Sequence, residues 1–301
     1  MMQPMQTIFL VGPTAVGKSA VALELAERLG AEIVSADSMQ VYRGMDIGTA
    51  KPTPAERARV PHHLIDVCDV GEPFDAKRFV ELAENTIAKL KIALVVGGTG
   101  LYIRALRHGL FEGPPRDIAL RRRLEAMPVP ALFAELQRLD SQTAAQIDRH
   151  NPRRLVRALE VFHTTGKPIR KLQTQWRDAT DSSVVIGLER NRAELVARIE
   201  RRIDEQMAAG WLEEVRRLMG LGLEKNLTAM QAAGYRELTA HLRGEVSLPA
   251  AVALIKTRTR QLAKRQMTWF RREPGLRWVA VAADEPPTKT SQRILEELKT
   301  S

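Results

Sequence analysis

The chain has 301 residues, 44% of them apolar and 27% charged, which suits a folded globular protein of one large domain or two modest ones. Its single cysteine, Cys68, excludes an internal disulfide and a cysteine-based zinc site, and no apolar run approaches membrane-spanning length. The net charge of +10 is unevenly spread: residues 1–110 balance acid against base, so the surplus lies in residues 111–301, as a polyanionic partner or merely an alkaline surface would have it.

Met1–Gln6 lacks the basic and apolar regions of a signal peptide, so a cytoplasmic protein is expected. Thr7–Val11 reads as a strand. Gly12-Pro-Thr-Ala-Val-Gly-Lys-Ser19 leads from it into a helix predicted over Ser19–Leu29. Strand, glycine-rich turn and helix in that order give the pattern G-x-x-x-x-G-K-[ST] its meaning. Gly12 and Gly17 let the backbone curl through Pro13, Thr14, Ala15 and Val16 so that N–H groups converge on a phosphate. Lys18 supplies a point charge, Ser19 a hydroxyl for Mg²⁺, and the helix N-terminus a positive dipole. This P-loop specifies a di- or triphosphate without saying which; ATP-binding proteins carry the same motif.

A second strand, Glu32–Ala36, runs into Asp37-Ser38-Met39-Gln40. The carboxyl ends of strands line the crevice of an open α/β sheet, so Asp37 is either a proton acceptor there or an ordinary turn residue. His62 and His63 are adjacent, with no further ligand at useful spacing, and do not suggest a metal site. A helix is predicted over Asp75–Lys91 and a buried strand over Ile92–Val96, which ends in Gly97-Gly-Thr-Gly100. These glycines allow close backbone approach and Thr99 adds a hydroxyl at the same crevice. No aspartate ends this strand, which argues against a P-loop kinase or ATPase.

At Glu112-Gly-Pro-Pro-Arg116 the pattern changes. From Asp117 to about Trp176 it is helical and strongly basic, with Arg121-Arg-Arg123 and Arg153, Arg154 and Arg157 as clusters. A strand returns at Ser183–Leu188, followed by helices over Glu194–Met219 and Ala250–Phe270. The expected division is an α/β core of residues 1–116 and 183–301 interrupted by a helical insert of residues 117–182. Lys256, Arg258, Arg260, Lys264, Arg265, Arg271 and Arg272 lie in one acid-free span beside Trp269 and Phe270. They form a nucleic-acid surface, or else the solvated side of a helix whose aromatics pack inward.

The chain resembles the bacterial tRNA dimethylallyltransferase family. The resemblance rests on the P-loop octapeptide, Ser38-Met-Gln-Val-Tyr-Arg-Gly-Met-Asp-Ile-Gly-Thr-Ala-Lys-Pro52, Pro61-His-His-Leu-Ile-Asp66, Gly97-Gly-Thr-Gly-Leu-Tyr102, Arg154-Leu-Val-Arg-Ala-Leu-Glu160, Gly234-Tyr-Arg236 and Arg260-Gln-Leu-Ala-Lys-Arg-Gln-Met-Thr-Trp269. These blocks reach from near one end of the chain to near the other. The resemblance implies a P-loop NTPase-like parallel sheet carrying an inserted, mainly helical tRNA-binding domain. It implies transfer of a dimethylallyl group from dimethylallyl diphosphate to N6 of the adenosine 3′ of the anticodon, with Mg²⁺ as cofactor.

In that setting the P-loop holds a diphosphate leaving group, and an absent acidic strand end costs nothing. Asp37 matches the family's general base and Thr99 a residue that contacts the reacting centre and the RNA. Arg202, next to Arg201, matches an arginine near the diphosphate. The anticodon stem-loop is expected at Asp37, Ser38, Met39, Gln40, Thr99, Arg121, Arg153, Arg154, Leu155, Val156, Arg157, Gln231, Ala232, Ala233, Gly234, Tyr235 and Arg236. Between Glu125 and Ala145 the insert is shorter than the helical hairpin of many members. A monomer is expected. Rival readings are a P-loop kinase, a prenyltransferase of free adenine nucleotides and a non-catalytic RNA-binding NTPase module. The glycine that ends the third strand, the basic insert, and Asp37 with Thr99 respectively argue against them.

Overall fold

The computed structural model describes residues 6–110, 113–114, 117–172 and 183–299. Glu112, Pro115, Arg116 and residues 173–182, where the sequence suggests a linker and the end of the insert, fall outside them. The chain divides into two compact units, Met1–Arg107 with Asp181–Ser301 and His108–Thr180. The first break therefore falls at the last residue of the helix Gly100–His108.

The larger unit is built on six parallel strands: β1 Gln6–Val11, β2 Glu32–Ser35, β3 His62–His63, β4 Ile92–Gly97, β5 Val184–Glu189 and β6 Leu276–Ala280. Their order is β3-β2-β4-β1-β5-β6. The central strands are mainly apolar: Ile8, Leu10, Leu94 and Val95 have no exposed surface. Burial on both faces is what parallel strands covered by crossover helices require. The fold is thus the P-loop type of α/β sheet, with β1 between β4 and β5. Two strands had no clear sequence signal. β3 has two residues, and β6, at the sheet edge, buries only Val279 of its five residues.

The helices α1 Lys18–Leu29, α2 Pro54–Arg59, α3 Ala76–Ile87 and α4 Gly100–His108 follow the first strands. Asp75 caps α3 by accepting from the backbone N–H of Lys77 and Arg78. In the helical unit, α5 Ile118–Glu125, α6 Val129–Leu139, α7 Ser141–Gln146, α8 Pro152–Thr165 and α9 Ile169–Leu172 enclose their own core of Leu124, Leu132, Leu136, Leu155, Val156 and Leu159. Glu160 is fully buried there and accepts from Arg157 at 2.8 Å and Arg121 at 3.5 Å. A buried carboxylate needs such partners to remain charged.

The helix expected over Glu194–Met219 is two helices, α10 Arg192–Ala208 and α11 Trp211–Gly220. Gly210 adopts φ +96° between them, a left-handed turn that ends the first helix and swings Trp211 inward. Then come α12 Tyr235–Leu242, α13 Leu248–Phe270 and α14 Pro287–Lys299. The helices α10 to α13 pack on one another, and α14 packs on α1.

The tightest backbone approach in the sheet is at Gly97, the last residue of β4. A Cβ there would stand 2.2 Å from the carbonyl oxygen of Ala36, a backbone atom that cannot yield. Gly97→Ala is expected to cost about 3 kcal/mol of stability through overpacking. Urea denaturation of the two proteins checks it.

Candidate active site

The end of β1, the end of β4 and the segment after β2 open on one cavity of about 380 Å³. Thr14, Asp37, Ser38, Met39, Gly98, Thr99, Arg202, Arg265 and Gln266 line its polar part. Ile203, Trp211, Leu262 and Trp269 line its apolar part. This placement follows from the strand order: β2, β4 and β1 are neighbours, so their carboxyl ends are neighbours too.

The P-loop is held from outside by arginines. Arg190 donates to the Val16 carbonyl at 2.8 Å, Arg198 to the Ala15 carbonyl at 3.0 Å, and Arg202 to the Thr14 hydroxyl at 2.6 Å. Gly12 and Gly17 have φ of +145° and +112°, and Ala15 sits at +63°. A side chain on Gly12 would meet the Leu188 carbonyl at 2.6 Å, so β5 also presses on the loop. The helix α1 that follows has no side-chain cap and no acid in its first turn. Its leading N–H groups are therefore left for an anion.

Lys18 Nζ donates to the carbonyls of Gly12 at 3.0 Å and Pro13 at 2.8 Å. Burial lowers its pKa to about 8; Asp37 opposes that shift and Arg202 adds to it. Burial also disfavours the Arg202 charge, and its Nε has no hydrogen-bond partner among the described residues. A bound anion would supply one. Arg201, by contrast, is exposed and pairs with Glu205, which settles which of the two arginines faces the loop.

Asp37 lines the cavity and also makes a turn bond. Its Oδ1 accepts from Met39 N–H at 2.9 Å, a local turn bond, while Oδ2 has no hydrogen-bond partner among the described residues. Thr99 steadies the segment: its hydroxyl accepts from Ser38 N–H at 3.1 Å and donates to the Ser38 hydroxyl at 3.3 Å. Gln40 is turned away, tied to Ser35 and to the carbonyls of Thr49 and Ala50.

Several residues of the wall had no distinctive signal in the sequence. Glu214, buried, accepts from the N–H groups of Asp46, Ile47 and Gly48 and from the Tyr235 hydroxyl at 2.6 Å. Trp211 packs so closely that a Cβ on Gly48 or on Gly234 would stand 2.1 Å from it. Gln266 was inside a recognised block, but its part in the loop geometry shows only in three dimensions.

Some expected RNA contacts are corrected by burial. Leu155 and Val156 are 0% and 2% exposed in the core of the helical unit, and Tyr235 is 0% exposed against Glu214. These three serve packing. Gly234 is buried against Trp211, whereas Ala232, Ala233 and Gln231 line the cavity and Arg236 is exposed. In the helical unit, Arg153 and Arg154 are exposed, while Arg121 and Arg157 are partly buried on Glu160. On α13, Lys256, Arg258 and Arg260 pair with Asp204, Glu237 and Glu200; Lys264 and Arg265, and Arg271 and Arg272 just past its end, are exposed without such partners among the described residues. Phe270 is buried and Trp269 half-buried over Gly100. The inward-packed reading thus fits Phe270 and the ion-paired turns, while exposed cations remain at the far end.

The P-loop, the Asp37 carboxylate and an aromatic wall share this one cavity, and comparison with known proteins identifies the class of enzyme to which such a chain belongs. Residues 40–273 match the family model of IPP transferase and residues 5–72 that of isopentenyl transferase. A tRNA dimethylallyltransferase of Syntrophobacter fumaroxidans is 50% identical over 285 residues, 91% of this chain and 83% of that protein. One from Geobacter metallireducens is 49% identical, covering 90% and 91%. The crystal structure of a tRNA isopentenylpyrophosphate transferase from Bacillus halodurans superposes with a TM-score of 0.73 at 38% identity, over 98% of this chain and 97% of that one. A eukaryotic dimethylallyltransferase acting on tRNA gives 0.81 at 25% identity, over 98% and 80%. The chain belongs to the tRNA dimethylallyltransferase (IPP transferase) family.

Replacing Arg202 by Met removes one charged donor to the anion and should weaken inorganic diphosphate binding about tenfold to a hundredfold. Arg201→Met should leave it unchanged. Calorimetric titration of both variants with diphosphate makes the comparison.

Proposed function

We propose that this enzyme moves a dimethylallyl group from dimethylallyl diphosphate to N6 of the adenosine that follows the anticodon of a tRNA. The observation that carries the reading is a single cavity with an anion-binding loop on one wall, Asp37 on another and apolar side chains between. In the reaction N6 attacks the allylic carbon, the carbon–oxygen bond to diphosphate breaks, and the proton on N6 passes to Asp37 Oδ2. The amine is a poor nucleophile because its lone pair is delocalised, so a positioned base matters. Negative charge grows on the departing diphosphate, where the α1 N-terminus, Lys18 and Arg202 neutralise it. Lys18 exchanges its two loop carbonyls for phosphate oxygens.

Among the described residues there is no cluster of His, Cys, Asp or Glu that could cage a metal. Ser19 is exposed on the first turn of α1 and offers one hydroxyl. That donor set fits an Mg²⁺ carried mainly by the diphosphate and water, which would supply further charge neutralisation there. The target base has to leave its stack to reach the cavity. Ile203, Trp211, Leu262 and Trp269 suit a five-carbon chain and a flat purine. Lys264, Arg265, Arg271 and Arg272 in the larger unit, and Arg153 and Arg154 in the helical unit, are the cations best suited to RNA phosphates. No described helix is long and apolar enough to cross a membrane.

Radiolabelled dimethylallyl diphosphate should label an anticodon stem-loop and not the same RNA lacking that adenosine; labelling of AMP instead would replace tRNA with a free nucleotide. Asp37→Asn should slow transfer by about a hundredfold to ten-thousandfold while RNA affinity holds. A near-normal rate would remove Asp37 as the base. The triple change Lys264→Gln, Arg271→Gln and Arg272→Gln should lower the slope of log affinity against log salt by about 2. The same change at Lys256, Arg258 and Arg260 should instead lower thermal stability.

A further inference from the structure

The P-loop and the loop after β4 face each other across the crevice, yet no backbone hydrogen bond joins Gly12–Gly17 to Gly98–Gly100 among the described residues. One side chain makes the connection. Gln266 Oε1 accepts from Thr14 N–H at 2.8 Å, and its Nε2 donates to the Gly98 carbonyl at 2.9 Å. The contact is fitted to that amide: a Cβ on Gly98 would lie 2.3 Å from Gln266 Nε2. Gln266 rises from α13, which is anchored on either side by buried Ala263 and Phe270.

Each end of the bridge leads to a working group. Thr14 carries Arg202 on its hydroxyl, at 2.6 Å. Gly98 precedes Thr99, whose hydroxyl takes the Ser38 N–H beside Asp37. The amide therefore stands between the anion side of the cavity and the proton-acceptor side. Only a side chain with one donor and one acceptor can satisfy both loops. Glutamate offers two acceptors and would turn one against the Gly98 carbonyl, and asparagine is a methylene short.

We propose that Gln266 is a positioning residue that sets the separation between the diphosphate loop and the Thr99–Ser38–Asp37 segment. This rests on the transfer reading above. By its action the donor carbon and the acceptor nitrogen meet at reacting distance, where a displacement of about 1 Å can slow a reaction about a hundredfold.

The test uses the whole protein with the changes Gln266→Met, Gln266→Glu, Gly98→Ala and the pair Gln266→Met with Gly98→Ala. Gln261→Ala, an exposed position on the same helix, is the control. Gly98→Ala keeps the glutamine but pushes its amide aside, so two unlike changes break one bridge. Each single variant should lower kcat about tenfold to a hundredfold, with Gln266→Glu also raising KM for the allylic diphosphate. The double variant should lose no more than the worse single one, because both remove the same link. The KM for the stem-loop and the thermal midpoint should stay close to wild type.

Additive losses, a kcat within twofold of wild type in Gln266→Met, or a loss matched by falling thermal midpoint and RNA binding would each overturn the role. Affinity for inorganic diphosphate, measured on every variant, separates the two levels of inference. A wild-type protein that binds diphosphate but labels no RNA defeats the transfer reading alone. The bridge then stands if Gln266→Met weakens diphosphate binding and falls if it does not.

Discussion

The site depends on β1 lying between β4 and β5 in a parallel sheet. Parallel pairing sends every strand's carboxyl end to the same edge, and the order β2-β4-β1-β5 sets four such ends side by side. The P-loop leaves β1, the glycine loop leaves β4 and the Asp37 segment leaves β2. None of these loops would find the others without that register, in which Val11 stands opposite Gly97. The absence of a side chain at Gly97 lets the Ala36 carbonyl close against the end of β4, bringing Thr99 to Ser38.

The loop itself is an electrostatic device with two sides. Arginines from beyond β5 take its outward carbonyls and the Thr14 hydroxyl. A peptide whose carbonyl is held outward presents its N–H elsewhere, and α1 begins uncapped. The cost is visible in the cations: burial lowers the pKa of Lys18 and of Arg202, and one nitrogen of Arg202 goes without a partner among the described residues. Charges held in this way gain more from an arriving anion than solvated ones would, because much of their desolvation has already occurred.

What could be read in the sequence was what is local. A phosphate loop, a buried strand and a glycine turn each occupy a few successive residues, and their flanks identify them. The family resemblance then joined those pieces. Harder to read were side chains whose partners are far along the chain. Glu214 looks like one more acid on an amphipathic helix, yet it binds three successive N–H groups some 166 to 168 residues away. Gly210 was hidden because the apolar spacing runs on through the break. Leu155, Val156 and Tyr235 lie in recognised blocks, and a block alone does not distinguish a residue that touches a ligand from one that supports its neighbours.

The basic residues show the same distinction as a matter of energetics. A cation beside a buried acid is already committed: Arg157 and Arg121 on Glu160, or Arg258 on Glu237, would leave an unpaired buried carboxylate if they turned to RNA. A cation in water loses little by exchanging its counterion for a phosphate. By this criterion α13 divides along its length. Its earlier turns close the larger unit through ion pairs to α10 and α12, while Lys264 and Arg265 near its end, and Arg271 and Arg272 just past it, stay exposed. Between those exposed cations, Gln266 and Trp269 reach into the cavity from the same turns. The helix that ends in these exposed cations therefore also supplies the amide that joins the P-loop to the loop after β4, so one rigid element holds the charge and both loops in a common frame.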